Sequence, residues 1–187
     1  MRGIAPQTFS QFRINPEEFI LKAARLINDE KATQIIEHIT YNRLDAAYDQ
    51  DVFTRATLRG KLDVNAMEAN RSLYSHVIYD SDNERRFAQE LDVSDQVAVY
   101  VKLPGSFYIS TPVGKYNPDW AIAFNEGSVK HIYFVAETKG NLDTMELRGV
   151  ENAKIECAKK HFAAISNGSV VYSVVDNYST LMQLVSN

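Results

Sequence analysis

The sequence predicts an α/β protein with a mixed β-sheet, and three observations lead to that prediction. Short runs rich in apolar and β-branched residues are separated by turn residues, which is typical of strands. One long segment, residues 145–165, has apolar residues at helical spacing, which is typical of a helix. A further apolar run, residues 170–175, follows this segment. Two strands joined through a helix imply a parallel pairing, whereas a turn at 125–128 implies an antiparallel hairpin. The predicted elements of this region are a helix at 83–91, strands at 97–103, 107–111, 119–124 and 130–138, a helix at 145–165 and a strand at 170–175.

The preceding region is predicted to be a helical extension over residues 1–78, with the α/β domain over 79–187. A helix at 16–40 begins with Asn-Pro-Glu-Glu, which supplies a capping side chain, a first-turn proline and acidic residues at the positive end of the helix dipole. A second helical stretch is expected at about 64–74, and a short helix from about Ser179 ends the chain.

Composition indicates an ordinary globular protein. Of the 187 residues, 45% are hydrophobic and 24% are charged. No apolar run approaches the roughly 18 residues of a membrane span, and the N-terminus lacks a signal-peptide core. Because Cys157 is the only cysteine, no internal disulfide is expected, and we expect a reduced, cytoplasmic protein. The net charge of −4 argues against binding nucleic acid through bulk electrostatics.

Two carboxylates and an amine are predicted to converge on the hairpin. The strand that ends in Glu137-Thr138-Lys139 places Glu137 and Lys139 on one face. Asp119 begins the preceding strand, and a loop centred near Gly127 or Ser128 sets it opposite position 136 or 137. Facing residues of such a pair have Cβ atoms about 4.5–5.5 Å apart.

Paired carboxylates repel each other unless a cation lies between them, and a hard divalent ion such as Mg²⁺ prefers oxygen ligands. We therefore predict Asp119, Glu137 and the backbone carbonyl of Thr138 as metal ligands. Lys139 would orient or deprotonate an attacking water, or balance the charge of a phosphate. Hydrolysis of a phosphodiester requires these groups and few others.

Each motif alone has an ordinary structural interpretation. A Glu-x-Lys at a strand end is commonly a solvated edge, and Pro-Asp is a turn signal. Their combination is more specific, because Pro-Asp opens one strand, a hairpin follows, and an apolar strand then ends in Glu-x-Lys.

With these motifs the sequence resembles the PD-(D/E)XK nuclease superfamily, with Pro118-Asp119 and Glu137-Thr138-Lys139 as the signature. More narrowly, it resembles the C-terminal endonuclease domain of the restriction (Res) subunit of type III restriction–modification enzymes. The blocks that carry the narrower resemblance are Tyr79-Asp80-Ser81, Glu84-Arg85-Arg86-Phe87, Lys102-Leu103-Pro104, Thr111-Pro112-Val113-Gly114, Tyr116-Asn117-Pro118-Asp119-Trp120, Phe134 to Gly140, Glu151-x-x-Lys154-Ile155 and Lys160-His161-Phe162.

The resemblance implies a restriction-endonuclease-like fold with an αβββαβ core and Mg²⁺-dependent cleavage of double-stranded DNA, with Mn²⁺ expected to substitute. It also implies two partners, namely a helicase-like motor region of the same subunit and a methyltransferase subunit that recognises the sequence. This chain has no G-x-x-x-x-G-K-[ST] loop, so we expect that it does not bind ATP and that it represents an excised domain or a truncated relative.

Glu84 and Lys102 are weaker candidates. Glu84 lies in the helix before the sheet, where many relatives supply an extra metal-binding carboxylate. The alternative is a surface residue beside Arg85 and Arg86. Lys102 is a candidate for contact with the DNA phosphates, or a solvated charge.

The long helix supplies three further candidates. Glu151 and Lys154 would support the site or contact DNA, or else form an ordinary surface ion pair. His161 would support the site, or serve only in packing. Trp120 and Cys157 are predicted to be buried.

Three functions remain open from the sequence. The first is a DNA endonuclease, and the second is a non-catalytic nuclease-fold module that docks a motor to DNA or to a partner subunit. The intact set of Asp119, Glu137 and Lys139 argues against the second. The third is a metal-dependent hydrolase of RNA or of another phosphoester.

Overall fold

The computed structural model describes residues 12–42, 61–62, 64–125, 132–137, 145–166 and 170–186. The helices and strands of these residues are α1 (Pro16–His38), β1 (Ala66–Glu68), β2 (His76–Ile78), α2 (Asp82–Val93), β3 (Val97–Lys102), β4 (Ile109–Thr111), β5 (Gly114–Tyr116), β6 (Trp120–Phe124), β7 (Ile132–Glu137), α3 (Met145–Ile165), β8 (Val170–Val175) and α4 (Tyr178–Val185).

The main sheet is mixed, as predicted. Its strand order is β3-β6-β7-β8, in which β6 pairs antiparallel with both β3 and β7, and β7 pairs parallel with β8. The crossover helix α3 makes this parallel pairing possible, because it returns the chain to the starting edge of the sheet. The α/β class and the restriction-endonuclease-like arrangement of sheet and flanking helices are therefore confirmed.

Two apolar clusters cover the sheet. The first packs α2 and α4 against strand residues, and its centre is Trp120 with Tyr100 and Ile122, all 1% exposed or less. The second packs α3 through Ala158 and Phe162 against β8 and the β4–β5 hairpin. The sheet is thus a layer between helices, and the predicted burial of Trp120 is confirmed.

The helix starts follow the expected capping chemistry. The Asn15 side chain accepts a hydrogen bond of 3.1 Å from the Glu18 N–H at the start of α1, and Ser81 accepts one of 3.2 Å from the Glu84 N–H at the start of α2. Each bond satisfies one of the N–H groups that a helix start leaves unpaired. The cap of α1 immediately precedes Pro16, as the sequence predicts.

The predicted helix at 64–74 is wrong. This segment instead contains β1, which pairs antiparallel with β2, and a turn between the two strands. The Asp92 carboxylate at the end of α2 accepts hydrogen bonds of 2.8 Å from the N–H groups of Asn70 and Arg71 and one of 3.3 Å from the Tyr100 hydroxyl. These long-range hydrogen bonds stabilise the turn, and their contribution to stability outweighs the weak helical preference of the segment.

Strand β5 is absent from the sequence-based prediction. It forms a hairpin with β4, and Gly114 at its start has φ +111°, a conformation that favours glycine. The Thr111 hydroxyl donates a 2.6 Å hydrogen bond to the Gly114 carbonyl and stabilises the turn. The three residues of β5 are too few to show an apolar alternation.

Helix α1 contacts the rest of the protein near its C-terminal end. Ile36 packs against Ala153 and Cys157 of α3, and the Lys160 ammonium donates a 2.6 Å hydrogen bond to the Ile36 carbonyl. The predicted burial of Cys157 is confirmed. Most large apolar side chains nearer the start of α1 are exposed, including Leu21. The division into 1–78 and 79–187 stays a prediction.

No helix among the residues that the structure describes is long and apolar enough to cross a membrane.

Removing the Asp92 carboxylate is expected to destabilise the protein. Asp92→Ala leaves the turn N–H groups without a charged acceptor, and we expect a loss of about 2 kcal/mol in the free energy of unfolding, measured by urea denaturation. The matched control is Asp95→Ala, which removes a carboxylate that is 98% exposed and pairs with Arg71. A surface pair of this kind contributes less than about 1 kcal/mol. Equal losses from the two variants would contradict the role of Asp92.

Candidate active site

Residues 117–119 form the corner that leads into β6, and hydrogen bonds fix its backbone. The Asn117 side-chain amide donates hydrogen bonds to the carbonyls of Gly105 at 3.0 Å and of Phe107 at 2.5 Å. The Leu103 N–H donates a 2.8 Å bond to the Asp119 carbonyl. Hydrogen bonds with the loop after β3 therefore stabilise this corner at Asn117 and at Asp119.

The residues on either side of Asp119 are more deeply buried than Asp119 itself. Pro118 and Trp120 are fully buried, whereas Asp119 is half-buried. Trp120 pairs with Val135, so the register continued by one residue sets Asp119 opposite Ala136. This agrees with the pairing that the sequence predicts.

Strand β7 ends at the second predicted ligand. Glu137 is the last residue of β7, and its backbone pairs with that of Val175 in β8. The Glu137 side chain, Thr138 and Lys139 lie outside the described residues, as does the hairpin loop. The convergence of Glu137 and Lys139 with Asp119 therefore stays a prediction.

Tyr116 and Tyr172 form a partly buried pair of phenols. The hydroxyls of Tyr116 and Tyr172 are 2.5 Å apart, and their rings meet edge to face. Burial raises the pKa of both phenols, and the charges of Asp119 and Glu151 raise both pKa values further.

The periodicity of α3 places Glu151 on the face of the helix that packs against the sheet. Ile155, Ala158 and Phe162 follow Glu151 at helical spacing and belong to the cluster beneath the sheet. Glu151 thus continues the sheet-facing stripe toward the N-terminal end of α3, which follows the end of β7. Lys154 lies 3.7 Å from the Glu151 carboxylate, so the expected ion pair is present.

Glu84 is not a surface residue. Its side chain is 1% exposed, and one carboxylate oxygen accepts hydrogen bonds of 2.6 Å from the Lys102 ammonium and from the Asp80 N–H. Lys102 also lies 2.9 Å from the exposed Asp80 carboxylate. Burial alone would lower the pKa of Lys102, but Glu84 and Asp80 outweigh it and raise that pKa. The lysine is therefore charged and balances the buried carboxylate.

His161 has the environment of a packing residue. Its ring contacts Tyr41 and Phe162 edge to face, with centroid distances of 5.0 and 5.5 Å. Burial lowers its pKa, and its Nδ1 has no hydrogen-bond partner among the described residues. Ten residues of helix separate it from Glu151, which corresponds to about 15 Å.

A family model described as an endonuclease domain matches residues 70–178, more than half of the chain. The chain belongs to this endonuclease-domain family. The matched range contains the Asp119 corner, the end of β7, the tyrosine pair and the Glu84–Lys102 pair. No curated protein and no solved structure matches the chain. The protein is thus a nuclease enzyme with a restriction-endonuclease-like fold.

The structure of the endonuclease domain brings two pairs of the sequence-predicted residues into contact. Lys102 contacts Glu84, and Lys154 contacts Glu151. The roles of Glu84 as a metal ligand and of Lys102 as a phosphate contact stay predictions, and each would require a change in their ion pair.

Neither Tyr116 nor Tyr172 is among the site residues predicted from the sequence. Tyr116 stands directly before Asn117-Pro118-Asp119, which is the one local signal that could have identified it. Tyr172 lies in an apolar strand where an aromatic residue is ordinary, so only the tertiary contact shows that its hydroxyl pairs with that of Tyr116.

The donor chemistry of the endonuclease domain suits a hard divalent cation. Asp119 and Glu151 provide carboxylate oxygens, which are the ligands that such an ion prefers. Within the described part of the chain, no three His, Cys, Asp or Glu residues converge closely enough to hold a metal ion. A complete ligand set would need Glu137 and Thr138.

The buried ion pair provides a stability test. Lys102→Met leaves the Glu84 carboxylate buried without its cation, and we expect a loss of about 3 kcal/mol in the free energy of unfolding, measured in urea. The double variant Glu84→Gln/Lys102→Met removes both charges and should recover most of that loss. A Lys102→Met protein as stable as the parent would contradict the buried pair.

Proposed function

We propose that the protein is a Mg²⁺-dependent endonuclease that hydrolyses double-stranded DNA, as the cleavage domain of a type III restriction enzyme. One observation supports the proposal: the β6–β7 register, continued one residue beyond the Trp120–Val135 pair, brings the backbone of Asp119 opposite Ala136, next to Glu137 at the end of β7. Membership of the endonuclease-domain family supports the same chemistry.

The proposed roles follow from the chemistry of each group. Asp119 and Glu137 hold the ion through their carboxylates, with the Thr138 carbonyl as a further ligand. When bound, Mg²⁺ supplies positive charge beside the scissile phosphate and favours deprotonation of the attacking water. Lys139 orients that water, accepts its proton or balances charge on the phosphate. Mn²⁺ has similar ligand preferences and should substitute.

The charge of the chain supports dependence on partners. A net charge of −4 provides little bulk attraction for DNA. We propose that the helicase-like motor region of the same subunit and the methyltransferase subunit bring DNA to this domain in the cytoplasm. ATP would act on the motor and should leave cleavage by this chain unchanged.

Nicking of supercoiled plasmid tests the proposal. With Mg²⁺ or Mn²⁺ the parent should nick DNA, and Asp119→Ala, Glu137→Ala and Lys139→Ala should each lower the rate about a hundredfold or more, because each removes several kcal/mol of transition-state stabilisation. The matched control is Asp95→Ala. Asp95 precedes Val97, at the opposite end of β3 from Lys102, and that variant should retain the parent rate.

Three results would contradict the proposal. Cleavage that survives all three substitutions would assign the activity to another site. Equal cleavage of duplex RNA would contradict the DNA specificity. A parent that neither cleaves DNA nor binds Mn²⁺ would favour a docking module that has the nuclease fold without its activity.

A further inference from the structure

The β4–β5 hairpin has one face toward the core and one face toward solvent. Ile109 and Tyr116 pair in register, are 3% and 4% exposed, and pack with α3 in the second apolar cluster. Successive side chains of a strand point to opposite faces, so the next pair, Ser110 and Lys115, lies on the outer face. Both of these side chains are exposed.

The Lys115 ammonium contacts an aromatic ring on this outer face. It lies 3.9 Å from the centroid of the half-buried Tyr108 ring, which is the distance of a cation–π contact. None of the ion pairs among the described residues includes Lys115. Because a phenol ring carries no net charge, the ring orients the ammonium and leaves its full charge available to an anion.

Hydrogen bonds connect the hairpin to the corner that contains Asp119. The loop that leads into β4 accepts two of them from the Asn117 side-chain amide, at the carbonyls of Gly105 and Phe107. Tyr108 directly follows Phe107 in the sequence. Lys115 precedes Asp119 by four residues, so their Cα atoms are at most about 14 Å apart.

This separation suits the repeat of a DNA backbone. Each strand of a duplex carries one phosphate for about every 3.4 Å of helix axis. A duplex with its scissile phosphate at Asp119 therefore has neighbouring phosphates within reach of the Lys115 side chain.

Lys102 is less suited to contact a phosphate. Its backbone pairs with that of Trp120, next to the same corner. Its ammonium, however, lies 2.6 Å from the Glu84 carboxylate and 2.9 Å from the Asp80 carboxylate. A phosphate contact would have to break these ion pairs, whereas Lys115 can contact a phosphate without breaking any ion pair of the described residues.

We propose that the outer face of the β4–β5 hairpin contacts the sugar–phosphate backbone of the duplex beside the scissile phosphate, with Lys115 paired to a phosphate and Tyr108 positioning its ammonium. The inference rests on the proposed function, because it names how the substrate of that site is held. Such a contact orients the duplex and reads no base sequence. It gives a chain of net charge −4 a local positive group where the DNA approaches.

Lys115→Met tests the contact, because it keeps an unbranched side chain and removes the charge. Binding of a fluorescently labelled duplex is measured by anisotropy in EDTA, where no metal-dependent cleavage occurs, at several KCl concentrations. We expect the Kd at low salt to rise by about threefold to tenfold, and the slope of log K against log salt to become less steep by about one. Lys115→Arg keeps the charge and should retain the parent slope.

Lys159→Met is the matched control. Lys159 is an exposed lysine of α3 that lies 2.7 Å from the Glu156 carboxylate, outside the hairpin. This variant loses the same unit of charge and should keep the parent salt slope. Equal changes in Lys115→Met and Lys159→Met would reflect net charge alone and would overturn the contact.

Tyr108→Leu tests the role of the ring. Without the ring to hold the ammonium, we expect the Kd to rise by about threefold, which is less than in Lys115→Met. Adding Tyr108→Leu to Lys115→Met should change the Kd little further. An unchanged Kd in Tyr108→Leu would overturn the positioning role of the ring. Thermal melting followed by circular dichroism checks folding, and Lys115→Met, at an exposed position, remains the test if Tyr108→Leu unfolds.

The outcomes separate this inference from the proposed function. A parent that nicks plasmid, with the parent Kd and salt slope retained in Lys115→Met, overturns the contact and leaves the nuclease proposal intact. A parent that binds the duplex through Lys115 but does not cleave DNA with Mg²⁺ or Mn²⁺ supports the contact and contradicts the nuclease proposal. A parent that binds no duplex at low salt overturns the contact.

Discussion

The burial of Trp120 at the start of β6 is the constraint on which the active region depends. Its ring contacts Phe87 of α2 and Tyr100 of β3, and its backbone pairs with both neighbouring strands. Strand β6 therefore cannot shift by one residue without exposing this ring and reversing the faces of the sheet. Because Asp119 immediately precedes Trp120, the core that holds the tryptophan also fixes the position of the carboxylate.

Burial also explains how the protein accommodates polar groups close to this core. Glu84 is almost inaccessible, but Lys102 and the Asp80 N–H satisfy it. The hydroxyls of Tyr116 and Tyr172 bond each other. An incompletely paired polar group inside a protein is costly, so such arrangements restrict the conformations that the surrounding elements can adopt.

The sequence predicted what depends on local pattern. Helix α3 runs from Met145 to Ile165, as its apolar spacing predicted, and the β6–β7 register agrees with the predicted position of Asp119. The prediction from sequence failed where contacts between residues far apart in the sequence determine the structure. The Asp92 carboxylate overrides a helical pattern 21 and 22 residues earlier, and the Tyr116–Tyr172 contact spans 56 residues. The burial of Glu84 depends on Lys102, 18 residues away, which no local spacing indicates.

The central claim is that Asp119 and the end of β7 form one metal site, and a crystal structure with Mn²⁺ tests it most directly. Anomalous scattering locates the ion independently of any assumed ligand. We expect a peak about 2.1 Å from carboxylate oxygens of both Asp119 and Glu137, near the spacing of a hard divalent ion from its oxygen ligands. A peak bound elsewhere, or Asp119 and Glu137 carboxylates directed to separate sites, would contradict it.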